Sequence, residues 1–159
     1  MIDWGATGAL VTSGASTLLA FGPETWPIDL AGAKDLREIG LKDQALSASG
    51  TGILGSHIVH PYGGEDEIVY PARRMWVLAA TAAQADAWST ACMLMSPEDL
   101  TTACAESGVV DGLFADRGDR VEELGVGLTR GEDLIPPAGT TCANALSGRR
   151  RRCRGGEGR

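Results

Sequence analysis

Long apolar stretches are missing from this sequence. No run approaches the roughly 18 residues a membrane-spanning helix needs. The opening Met1-Ile2-Asp3-Trp4-Gly5 has neither the basic patch nor the apolar stretch of a secretory signal, so the chain as written reads as cytoplasmic. Cysteine is sparse. Cys92, Cys104, Cys142 and Cys153 form no C-x-x-C pair, and two of them fall in helical patterns, where a small buried thiol is the ordinary reading. A zinc or redox site is the alternative, and a reducing compartment is the natural setting. No internal repeat is present, and neither an RNA-binding signature nor zinc-finger spacing occurs.

What is present suffices for one domain. A chain of 159 residues buries about two-thirds of its unfolded surface, and 43% apolar residues build a core without disulfides or structural metal. The net charge of −7 is unevenly spread. Six of the 14 basic residues (Arg149, Arg150, Arg151, Arg152, Arg154 and Arg159) fall in the last 11 positions beside a single acid, Glu157. Residues 1–148 therefore hold 8 basic against 20 acidic side chains, a net of −12, while the tail carries +5. An acidic body repels nucleic acid and anionic membranes and suits hard cations. The arginine run offers electrostatic contact with phosphates; a solvated, disordered tail is the plainer reading.

The pattern predicts an α+β fold, a mostly antiparallel sheet with a paired-helix unit. Gly8–Ser13 and Ser16–Phe21 read as strands around Gly14-Ala15, with Trp26–Leu30, Leu36–Leu41 and Gln44–Ser49 after them. An exposed loop is expected at Gly63 to Glu67, and Met75 to Ala80 is a buried strand. Thr81 and Gln84 fit a capping box. In the helix that follows, Ala83, Ala87, Ala91 and Leu94 mark one face, with Trp88, Cys92 and Met95 beside them. The helix should stop near Ser96-Pro97. A second helix starts there with Ser96 as N-cap and Pro97 at the first position, ending at Gly108. Val109 to Leu124 reads as a hairpin around Asp116-Arg-Gly-Asp119. The domain is expected over 1–130, followed by a disordered Pro/Gly/Arg-rich tail over 131–159.

Two stretches can carry chemistry. In Ala85-Asp86-Ala87-Trp88-Ser89-Thr90, Asp86 and Thr90 lie four apart, on one helical face. A carboxylate and a hydroxyl so placed offer two oxygen ligands to a hard cation such as Mg²⁺, with water and phosphate completing the octahedron. Both are expected in the first turns, where backbone amides favour a phosphate. A helix-start acid and a threonine bonded to its own backbone are the alternative. The second stretch, His57-Ile58-Val59-His60-Pro61, holds both histidines. In an extended segment positions i and i+3 point to opposite faces, which hinders joint metal ligation. One histidine there can serve as a general base or meet a phosphate; half-buried strand histidines are the other reading. The segments Ser13–Ser16 and Ser47–Gly50 are small-residue turns, near a ligand or simply turns.

Four blocks in order resemble the C-terminal half of the FAD:protein FMN transferase family (the thiamine-biosynthesis lipoprotein, or ApbE, family). Gly8 to Leu30 with Trp26 resembles a strand, turn, strand and tryptophan segment. Leu46-Ser-Ala-Ser49-Gly50 is similar to "LATSG", and Ser56 to Pro61 with Gly64 to "HIIDPxTG". Met75 to Met95 resembles the family's strand and "ADAWxT" helix, matched at Ala85 to Trp88 with Thr90. The likeness covers about residues 5–128. His60 stands where the family usually has aspartate, Ser13-Gly14-Ala15 replaces a double-glycine turn, and Ser96 replaces a glycine.

The resemblance implies the flavin-transferase fold and a transferase that splits FAD. It attaches FMN through a phosphoester to a threonine or serine of a target flavoprotein, a Mg²⁺-dependent protein flavinylation. Positions matching Asp86 and Thr90 supply metal ligands. The one matching His57 lies in the catalytic site and against FAD, and the one matching Val59 contacts FAD. FAD, as substrate, and an acceptor flavoprotein are the expected partners. The family's N-terminal half is not in this sequence, so a truncated or split member is expected, completed by that half or prone to self-association. The alternative is a non-catalytic remnant or a partner-dependent flavin- or metal-binding fragment.

Overall fold

The first five strands are β1 (Ala9–Ser13), β2 (Thr17–Phe21), β3 (Trp26–Ala31), β4 (Leu36–Leu41) and β5 (Ala45–Gly50). They are followed by β6 (Arg74–Ala79), α1 (Ala82–Cys92), α2 (Pro97–Ser107), β7 (Val110–Asp116) and β8 (Val121–Glu123). The computed structural model describes residues 5–14, 16–51, 55, 58, 59, 61 and 72–125. The expected loop at 63–67, the tail over 131–159, His57 and His60 lie outside the described residues.

Six strands form one antiparallel sheet in the order β1-β2-β5-β6-β7-β8, and β3 with β4 makes a separate two-stranded sheet. The period-2 geometry of a strand explains why β6 is apolar throughout. Met75 and Val77 face the helices, packing with Cys92, Met93, Leu100 and Cys104. Trp76 and Leu78 face the other way, against Leu30, Ile39 and Leu41 of the β3–β4 hairpin. β7 divides likewise, Leu113 and Ala115 to the helices and Phe114 to the hairpin. The result is three layers: helix pair, six-stranded sheet, hairpin.

Polar contacts fasten the hairpin. The buried Asp116 carboxylate accepts from the Ala33 amide (3.1 Å) and the Gly118 amide (2.7 Å), and Asp35 accepts from the Val121 amide (3.1 Å). Arg37 of β4 pairs with Glu123 of β8 and lies over the Phe114 ring at 5.2 Å. At the end of β5, a Cβ on Gly50 would stand 2.4 Å from the Arg73 carbonyl oxygen, so only glycine fits that approach.

The helices correct two expectations. Thr81 does cap α1, its hydroxyl accepting from the Gln84 amide at 3.3 Å, and Ser96 caps α2, which closes on Gly108 at φ 61°. But α1 ends at Cys92, short of Ser96. The Met93 and Leu94 amides bond back to Thr90 and Ala91, three residues away, tightening the chain into a turn as Cys92 and Met93 enter the core. The buried face also differs. Ala85, Ser89 and Cys92 are inward, and Ala83 and Ala87 are exposed. The sheet beneath presents Ala45 and two serines, so a serine at 89 finds a partner there. Among the described residues no helix is long and apolar enough to cross a membrane.

Candidate active site

The site lies where α1 meets β5. A strand advances about 6.7 Å over two residues and a helix about 6 Å over four, so side chains two apart on β5 match side chains four apart on α1. Ser47 and Ser49 meet Asp86 and Thr90 in that register. Ser47 donates to the Asp86 carboxylate (Oγ to Oδ1, 3.1 Å), and the Ser49 and Thr90 hydroxyls are 2.8 Å apart. Behind them the Thr17 hydroxyl of β2 is 2.9 Å from that of Ser47, and the Ser89 hydroxyl is 2.8 Å from that of Ser49. Ser89 also donates to the Asp86 carbonyl at 3.0 Å.

Ser47 and Ser89 are fully buried and the Asp86 and Thr90 residues are exposed. The arrangement therefore runs from a sealed hydroxyl base to an outward carboxylate and hydroxyl. Both outward groups are hard oxygen donors, the kind Mg²⁺ takes together with water and phosphate. Among the described residues no cluster of three His, Cys, Asp or Glu side chains could hold a metal by itself.

The expected position of Thr90 needs correction. α1 begins at Ala82 and ends at Cys92, so Asp86 is near its middle and Thr90 in its last turn. The amides of the helix start, of which Thr81 caps that of Gln84, lie far along the helix from Thr90. Of the second stretch, Ile58 is buried with the helix-side core, and Val59 is exposed at 61%. His57 lies outside the described residues.

Sequence reasoning missed the roles of Thr17 and Ser89, and it read Ser47–Gly50 as a small-residue turn where the structure has the end of β5. The Ser-x-Ser spacing at 47 and 49, opposite an Asp-x-x-x-Thr, is the signal that points to the β5 serines. Cys92 and Cys104 are free, buried thiols with sulfurs 3.6 Å apart. Their shared hydrogen bond, with burial, pushes the Cys92 thiol well up, and the same bond holds Cys104 below its usual value. The pair seals the α1–α2 junction on the core side.

Solved structures define the class of fold. The flavinyl transferase ApbE of Pseudomonas stutzeri, apo form, matches with a TM-score of 0.60 and 22% identity over 77% of this chain and 43% of that one. The flavin transferase ApbE of Vibrio cholerae matches with a TM-score of 0.64 and 19% identity over 80% of this chain and 45% of that one. The chain thus has the flavin-transferase fold and spans less than half the length of these two proteins. A comparison with curated proteins finds no match. The ApbE family model matches residues 1–114, and the chain belongs to that family.

Proposed function

We propose that this chain is the metal-binding portion of a Mg²⁺-dependent FAD:protein FMN transferase. One observation carries the reading: a member of the ApbE family presents Asp86 and Thr90 together on α1, both bonded from behind by β5. In the reaction, a threonine or serine hydroxyl oxygen of the acceptor flavoprotein attacks the FMN phosphorus of FAD. The pyrophosphate P–O bond breaks, AMP leaves with that oxygen, and the acceptor's proton passes to His57 as general base. Asp86 and Thr90 hold the cation, and the exposed Val59 side chain offers apolar surface to the flavin. Bound Mg²⁺ supplies Lewis-acid stabilisation of the charge developing on the phosphate oxygens. A reducing compartment suits the free Cys92–Cys104 pair.

The chain covers 43% and 45% of the two solved transferases, and a second reading is of a site completed by further protein. On that reading it binds flavin or metal but needs a partner to complete the site. The test is incubation of the full chain with FAD, Mg²⁺ and an acceptor flavoprotein, followed by in-gel flavin fluorescence after denaturation. Covalent fluorescence lost on chelation supports the transferase, and its absence leaves the partner-dependent reading.

A further inference from the structure

We propose that Ser47, backed by Thr17, is a positioning residue that fixes the Asp86 carboxylate so that one oxygen faces outward for a divalent cation. The proposal rests on the reading of Asp86 and Thr90 as metal ligands and extends it to residues behind them.

The argument is an accounting of protons. An ionised carboxylate only accepts, so the single Ser47 proton goes to Asp86 Oδ1. The Thr17 hydroxyl, 2.9 Å away, must then donate to Ser47. On the other branch Ser89 donates to the Asp86 carbonyl at 3.0 Å. Ser49 therefore donates to Ser89 and accepts from Thr90, both at 2.8 Å. The competing bond from Thr90 to the Asp86 carbonyl is 3.4 Å, beyond the usual range. Along Thr90, Ser49 and Ser89 the hydroxyl protons point inward, while from Thr17 through Ser47 they run out to Asp86 Oδ1. Asp86 Oδ2 and the lone pairs of Thr90, on two exposed residues, are left as acceptors only, as a hard cation requires.

Ser47 is the pivot. At 0% exposure its hydroxyl has no water to turn to, so Thr17 and Asp86 set its direction. A hydroxyl already polarised by a donor behind it makes a stronger bond ahead of it. Without Ser47 the Asp86 side chain keeps its backbone position but loses the restraint on its carboxylate plane.

The experiment is Mn²⁺ binding to the full chain, read as loss of the free-ion signal in electron paramagnetic resonance, with thermal melting of each variant alongside. Expected are about tenfold weaker binding for Ser47→Ala and about threefold for the near-isosteric Thr17→Val, with Ser47→Thr closer to the parent than Ser47→Ala. Asp86→Asn should abolish binding. If the parent does not bind, or Asp86→Asn binds as the parent does, the metal reading itself falls and the positioning role with it. If Asp86→Asn loses binding while Ser47→Ala or Thr17→Val binds like the parent, the positioning inference is overturned and the metal reading stands. Should Ser47→Ala fail to fold, Thr17→Val decides by the same criterion.

Discussion

Replacing Ala85 with leucine should unseat α1 and weaken the site without touching a proposed ligand. Ala85 is fully buried against Ala45 of β5 and Ala79 of β6, with Leu19, Ala82 and Val109 packed around the three methyl groups. Three further carbons do not fit there, and overpacking of this kind costs about 1–3 kcal/mol. The helix must lift. The α1–β5 hydrogen bonds span 2.8 to 3.1 Å, so a lift of about 0.5 Å takes them out of range. Three such bonds contribute about 1 kcal/mol each. The total loss is therefore about 4–6 kcal/mol, a large share of the stability of a domain this size. Urea unfolding followed by tryptophan fluorescence measures it as a lower midpoint. Mn²⁺ affinity measured below the transition should fall as well. A change under about 0.5 kcal/mol, with unaltered Mn²⁺ affinity, would refute the small-residue seat.

Three other outcomes follow from the same structure. Asp116→Ala leaves the Ala33 and Gly118 amides without their acceptor and should cost about 2–4 kcal/mol in urea unfolding, with Asp116→Asn costing less because one acceptor oxygen survives. Gly50→Ala sets a methyl 2.4 Å from the Arg73 carbonyl oxygen and should lower the melting temperature by several degrees, read by circular dichroism. Cys92, fully buried and with its thiol pushed up, stays protonated and should resist iodoacetamide at pH 8 in the folded chain; peptide mass spectrometry should find it alkylated only in urea.

Local pattern made most of the elements legible. β6 was visible as a run that stays apolar because both of its faces are covered, and the caps at Thr81, Ser96 and Gly108 were visible because few residue types satisfy a helix end. The seat of α1 was not. Apolarity pointed to Ala83 and Ala87, while the structure turns Ser89 inward, because its hydroxyl finds Ser49 and the Asp86 carbonyl. The end of α1 was misplaced for a related reason. Leu94 and Met95 continue a helical spacing, and only the packing of Cys92 and Met93 against α2 shows why the chain turns first. The separation of β3 and β4 from the main sheet depends on contacts such as Ala33 to Asp116, 83 residues apart, which no local signal encodes. At the site, the shared face of Asp86 and Thr90 could be read from their spacing. The serines behind them belong to a strand about 40 residues earlier, and only the fold brings them together.

The central claim is that Asp86 holds the cation that flavin transfer requires. The most direct measurement is Mg²⁺-dependent covalent flavin on an acceptor flavoprotein, compared between the parent chain and Asp86→Ala under identical conditions. The account predicts labelling by the parent and none by the variant, with both chains melting alike. Equal labelling by Asp86→Ala would contradict it.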